Sequence, residues 1–174
     1  LDERLRRSSV IAHETAHMWF GDYVTMRWFN DVWTKEVFAN YFAARIVEPL
    51  YPTIDHRLSR LKSYTIASLS EDRTAGSTPI RQALDNLQNA GLIYGRIIYN
   101  KAPIVMDKLV EIMGDDAYQQ GIRDYLTTFA YGNATWPELI EILDRYTDAD
   151  LRAFSEVWVH NNAMPTITLT SEDN

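Results

Sequence analysis

Apolar positions recur at helical spacing over most of the chain, and turn residues separate the runs. From Leu5 to about Phe20 the pattern predicts an amphipathic helix that stops at Gly21-Asp22. Tyr23 to Phe29 (YVTMRWF) reads as a short strand or an extended link. A second long helix is predicted from Val32 to Glu48, with Asn30 or Asp31 able to cap it and Pro49 and Pro52 ending it. A third runs from about Ile54 to Leu69, followed by the loop-like SEDRTAGSTPIRQ. Two further helical runs lie between Ala83 and Asp115, the second interrupted or begun near Pro103. Asp115 is a candidate cap for a helix from Asp116 to about Phe129. Thr135 to Glu138 (TWPE) has the form of a capping box with Pro in the first turn, which predicts a helix from Trp136 to Tyr146. Thr147 to Asp150 (TDAD) repeats the device before Leu151 to Val159, and Thr166 to Thr170 reads as the start of a strand. No internal repeat or low-complexity segment interrupts the series, so the fold class is mainly α with at most one or two short strands.

Composition narrows the chemistry. The 174 residues suit one domain with a sizeable core, and a hydrophobic fraction of 46% is that of a folded protein. A net charge of −7 argues against a nucleic-acid partner. There is no cysteine, so any zinc must be held by His and carboxylate. No apolar run is long enough to span a bilayer, and the compartment is left undetermined. The absence of an initiator Met suggests a piece of a longer protein.

The stretch VIAHETAHMWFGD (Val10 to Asp22) carries the candidate chemistry. His13 and His17 are four residues apart, so a helix places both on one face within reach of a single ion. Glu14 lies beside His13, positioned to approach a water on that ion as general base. A catalytic zinc needs a third protein ligand. Glu36 follows His17 after eighteen intervening residues on the second predicted helix, completing a His-His-Glu set for one Zn2+ per chain. Taken alone, Glu36 would read as a solvated helix glutamate; together with the histidines it reads as a ligand.

With these residues in view, VIAHETAHMWFGDYVTMRWFNDVWTKEVFANY resembles the zinc signature of the aminopeptidase N family of gluzincin metallopeptidases, close to VIAHELAHQWFGN followed by WxNDLWLNEGFA. IIYNKAPIVMDKL (Ile97 to Leu109) resembles the family's I-x-Y-x-KG-x-x-V-x-x-ML segment, and the tail from Phe129 resembles its last catalytic-domain helices. The resemblance implies the helical part of a thermolysin-like zinc peptidase catalytic domain over residues 1–165, without its N-terminal β lobe, and the truncated start of a following β-domain over 166–174. It implies a zinc metalloaminopeptidase that hydrolyses the N-terminal peptide bond through a zinc-activated water, with peptides as substrates and the remaining domains of the parent chain as partners. Tyr99 matches the tyrosine that hydrogen-bonds the oxyanion, and Tyr94 is a weaker candidate for lining the site. The family's Gly-x-Met-Glu-Asn segment, whose Glu binds the substrate's α-amine, is expected outside this chain, and the missing lobe would leave an apolar face exposed.

Met18, Val37 and Ala102 depart from the family's usual Gln, Gly and Gly, which bears on substrate preference more than on chemistry. Asp31 and Asn40 are candidates for orienting a histidine ring, with helix capping and a plain exposed amide as the ordinary alternatives. His56 and His160 lack partners at ligand spacing. Trp19, Trp28, Trp33, Phe38, Tyr41 and Phe42 read as core. Two rival functions stand beside the peptidase: an epoxide hydrolase on the same scaffold, and a zinc-free helical interaction domain. The intact residues at positions 13, 14, 17, 36 and 99 count against a catalytically dead homologue.

Overall fold

The computed structural model describes residues 3–162 and 168–169, with the side chains of residues 92 and 93 left aside. The strand expected from Thr166 to Thr170, and with it the boundary drawn after residue 165, falls outside the described residues but for 168 and 169. The mainly α architecture is as the periodicity predicts, and two three-residue strands are present among the described residues.

Helix α1 (Glu3–Ala16) buries Leu5, Ala12 and Ala16, one stripe at helical spacing, against α2 (Val32–Val47). Val10 and Ile11 on its other side are open to solvent, as is Met18 just beyond it. Helix α2 is apolar nearly all round and is correspondingly central, with Val32, Trp33, Val37, Phe38 and Ala39 essentially inaccessible. Between α1 and α2 the chain runs through β1 (Val24–Met26) and a single 3-10 turn (Phe29–Asp31).

Next comes one long helical run with a widened turn inside it: α3 (His56–Arg60), a π-helical turn (Leu61–Thr65) and α4 (Ile66–Asp72). The loop that follows begins at Arg73 rather than at Ser70. The first helical run expected after it reduces to a 3-10 turn (Leu87–Asn89) and the single-turn α5 (Ala90–Ile93). A second π-helical turn (Ile97–Lys101) leads directly into α6 (Ala102–Met113), which carries Pro103 in its first turn.

The remaining elements are α7 (Asp115–Thr128), β2 (Gly132–Ala134), α8 (Trp136–Leu143) and α9 (Leu151–Ser155), the last running into a third π turn (Glu156–His160). Strands β1 and β2 pair in parallel, Val24 opposite Gly132 and Met26 opposite Ala134, so the link after α1 is tied to the far end of the sequence. The core is continuous from α2 through α6 to α8, where Trp33 and Trp136 lie 4.6 Å apart between ring centroids and Trp136 Nε1 donates to Ser155 Oγ at 2.7 Å. Replacing either tryptophan by Ala would cost about 3–5 kcal/mol. No helix among the described residues is long and apolar enough to cross a membrane.

The expected caps need correction at three places. Asp31 stands at the N-cap of α2 but makes no capping bond, because Arg81 occupies its carboxylate. Asp115 is already helical; the cap position belongs to Gly114, whose φ of +79° suits a residue without Cβ. Before α9, Asp150 itself caps, accepting from Ala153 N, while Thr147 Oγ1 accepts from Ala149 N, so no reciprocal box forms there. The box at Thr135 and Glu138 is complete, with both reciprocal bonds made.

Candidate metal centre

Two features of the chain deliver the histidines. His13 lies in the last turn of α1, and its ring faces α2 because it shares a side of the helix with the buried Ala12 and Ala16. His17 follows the end of the helix, where its backbone N–H still donates to His13 O at 3.2 Å. The chain then reverses through Gly21, whose φ of +141° is a conformation that L side chains rarely adopt. That reversal sets Phe20 O 3.0 Å from His17 Nδ1. Phe20 is itself held by stacking on Phe38 and Phe42 of α2, at 4.5 and 5.0 Å between ring centroids. On α2, Glu36 is buried one helical turn before Asn40, so the two side chains meet α1 together.

The resulting geometry converges on one point. His13 Nε2 and His17 Nε2 are 3.1 Å apart, and Glu36 Oε2 lies 3.6 Å from the first and 3.8 Å from the second. These three residues are the group among the described residues whose His and carboxylate atoms gather closely enough to hold a metal ion. A tetrahedral zinc at ordinary bond lengths spaces its ligand atoms about 3.3–3.4 Å apart, so the observed spacings fit a small cation with little movement. The donor chemistry fits as well. His13 Nδ1 donates to Asn40 Oδ1 at 3.0 Å and His17 Nδ1 to the Phe20 carbonyl, which in neutral imidazoles leaves both Nε2 atoms bare and aimed at the same place.

Charge follows the same arrangement. The Glu36 carboxylate beside His13 raises that imidazole above its usual value, against the opposing effect of burial. Burial acts to raise the Glu36 carboxyl in turn, but His13, Lys35 and His17 together outweigh it and hold Glu36 below the ordinary range. Lys35 Nζ is 3.4 Å from Glu36 Oε1, the oxygen turned away from the histidines.

A cleft of about 500 Å³ opens beside the cluster, lined by Val10, His13, Glu14, Asn40, Tyr99 and Asp107 among others. Glu14 is exposed on its wall. Tyr99 is 39% exposed, and its hydroxyl is pushed above the usual tyrosine value, first by burial and then by the charge of Glu36 and by Tyr94. It therefore stays a neutral O–H donor at physiological pH. Tyr94 lies against Tyr99, ring centroids 6.3 Å apart and nearly parallel.

Several sequence candidates fall elsewhere. Asp31 orients no histidine: it is 1% exposed and takes both Nε and Nη2 of Arg81, at 2.6 and 3.1 Å, pinning the 73–86 loop to the start of α2. His56 sits at the rim of the cleft, where its Nε2 donates to Tyr51 O at 2.9 Å, and His160 ends the last π turn. Trp19 and Trp28 are not core, at 48% and 44% exposure, because α1 and the link after it turn that side away from α2; Trp33, Phe38 and Tyr41 are buried. Sequence reasoning missed the Phe20 carbonyl, a backbone group that no residue type announces, and the Lys35 contact.

Comparison with known proteins places this geometry in context. Residues 1–158 match the peptidase family M1 domain. The chain is 33% identical over 166 residues to the thyrotropin-releasing hormone-degrading ectoenzyme of Rattus norvegicus, an alignment covering 92% of the chain and 16% of that protein. It is 30% identical to aminopeptidase N of Lactobacillus helveticus, covering 92% of the chain and 19% of that protein. It is 28% identical to probable aminopeptidase 2 of Sulfurisphaera tokodaii, covering 96% of the chain and 21% of that protein. The chain thus spans about a fifth of the length of these relatives. A match over most of its residues, on a helical frame that gathers two histidines and a glutamate, makes this chain a member of peptidase family M1.

Proposed function

We propose that the chain is the metal-holding helical part of a zinc aminopeptidase, and that the enzyme it serves removes N-terminal residues from peptides. The observation that carries this reading is the convergence of His13 Nε2, His17 Nε2 and Glu36 Oε2 on one point while each imidazole's other nitrogen is engaged by a carbonyl oxygen. The names of its relatives, aminopeptidases among them, support the substrate class.

When bound, zinc supplies a Lewis acid for the scissile carbonyl and makes a water more acidic. Glu14, exposed on the cleft wall next to His13, takes a proton from the attacking water and hands it to the leaving amine. Tyr99, neutral and facing the same cleft, donates its O–H to the carbonyl oxygen as negative charge develops there, which favours the transition state over the ground state. Asn40 and the Phe20 carbonyl keep the histidine rings in the orientation and tautomer that zinc requires.

The test is metal content and hydrolysis of amino-acid anilides by the purified enzyme. Close to one zinc per chain is expected, lost in Glu36→Ala. Glu14→Ala should retain zinc and lose hydrolysis. Zinc binding undiminished by Glu36→Ala would overturn the ligand assignment, and retained turnover in Glu14→Ala would overturn the base.

A further inference from the structure

Tyr99 sits inside a widened turn rather than an ordinary helix. In Ile97–Lys101 the backbone N–H of Ala102 donates to Ile97 O, five residues back instead of four. A second π-helical turn, Leu61–Thr65, packs against it and closes the same way, Ile66 N to Leu61 O. Such turns are rare and occur often at functional sites, and this one has a hold outside its own backbone.

The side chains around Tyr99 supply that hold. Lys101 is buried and its Nζ donates to both carboxylate oxygens of Asp72, each at 2.9 Å. Asp72, also buried, accepts at the same time from Ser77 Oγ at 2.8 Å. At the other end of the turn Arg96 Nη1 donates to Ser70 Oγ at 3.3 Å, and beside Lys101 the Asn100 Nδ2 donates to Ser63 O at 2.9 Å. All three tethers run to the same long helical run, residues 56–72. Tyr99 and Lys101 are two residues apart and so point to roughly opposite sides of the turn. Anchoring Lys101 on one side therefore sets the rotation at which Tyr99 faces the cleft on the other.

We infer that the buried Lys101–Asp72–Ser77 chain is a positioning device for Tyr99, fixing the π-helical turn so that the tyrosine hydroxyl is presented to the metal cleft. A buried ion pair is a weak source of stability but a demanding geometric constraint, because neither charge tolerates leaving its partner. Neither Lys101 nor Asp72 touches the metal cluster, so both act through Tyr99. The inference rests on the role given to Tyr99 above, and the test separates the two.

In the full enzyme, Lys101→Met and Asp72→Asn are made both alone and in a Tyr99→Phe background, and folding is checked by circular dichroism. Asp72→Asn keeps the shape and one acceptor oxygen while removing the charge and the second acceptor, and it is read alone if Lys101→Met does not fold. In parallel, 3-fluorotyrosine placed at position 99 reports the ring's surroundings by 19F resonance without reference to turnover. The expected result is a kcat lowered about 10- to 100-fold with KM within about threefold, as for a displaced catalytic group. In the Tyr99→Phe background the same substitutions should cost less than about twofold, and the 19F resonance should shift or split. Equal losses in both backgrounds with an unmoved resonance would overturn the inference. Should Tyr99→Phe alone leave kcat unchanged, the role of Tyr99 falls; the resonance then decides the positioning, a shift upholding it and an unmoved line overturning it.

Discussion

Asn40→Ala is the sharpest probe of how the site is held. Asn40 Oδ1 lies 3.0 Å from His13 Nδ1, and accepting that hydrogen leaves Nε2, the atom aimed at Glu36 and His17, without a proton. Removing the amide has two local effects. The Nδ1–H of a half-buried ring loses its acceptor, a cost of about 1–3 kcal/mol. The ring also becomes free to carry its proton on Nε2, where it blocks the metal. Losing a partner of this kind typically weakens metal affinity about 10- to 100-fold, or roughly 1.4–2.7 kcal/mol. Asn40→Asp supplies a stronger acceptor and a negative charge, and should bind at least as tightly as the native residue. Competition titration of the metal-free protein against a chromophoric zinc chelator at pH 7.5 measures all three. Asn40→Ala within twofold of the native affinity, or Asn40→Asp as weak as Asn40→Ala, would refute the reasoning.

Two other expectations follow from the same coordinates. Gly21→Ala must place a Cβ 3.3 Å from His17 O and 3.4 Å from His17 Nδ1 at a φ of +141°, so the turn that carries the Phe20 carbonyl has to move. It should cost about 1–3 kcal/mol by urea denaturation and weaken zinc at least about tenfold in the titration above; no change in either would remove the turn from the account. For Glu138, burial acts to raise the carboxyl, but hydrogen bonds from the Thr135 side chain and backbone and from Arg27 outweigh it and lower it below its ordinary 4.5. A lowered carboxylate contributes stability above its unfolded value and loses it as pH falls through the folded one. The melting-temperature gap between the native protein and Glu138→Gln should therefore be about 1–3 °C at pH 7 and close below about pH 4; a gap constant from pH 7 to 3 would sink the assignment.

Much of this was legible in the residues, and the failures share a cause. Helices α2 and α8 were readable because periodicity, a Pro stop and a complete capping box agree with one another. The π turns were not, since widening a helix by one residue barely disturbs its apolar period. Strand β2 was missed because Gly132-Asn133-Ala134 has none of the β-branched or aromatic residues that mark a strand; it exists through pairing with β1. Asp31 and Asp115 have the chemistry of caps, yet Arg81 claims the first at 2.6 Å, and the second already lies within the helix, with Gly114 at the cap position. At the site, the spacing of His13, His17 and Glu36 pointed to atoms that the fold brings together, and Asn40, a candidate for orienting a histidine ring or else a plain exposed amide, meets His13. The Lys101–Asp72 pair could not be paired from sequence, because 29 positions separate its members.

The parallel pairing of β1 with β2 has a consequence in time. Thr25 sits opposite Asn133, Arg27 reaches Glu138 at 2.7 Å, and Asn133 Nδ2 donates to Met26 O across 107 positions. During synthesis the segment joining α1 to α2 therefore lacks its lasting neighbour until more than a hundred further residues have been added. Contacts so distant in sequence form slowly and last. A nascent or truncated product ending before Gly132 would carry the histidines and the glutamate while the segment that joins their helices lacks its partner strand.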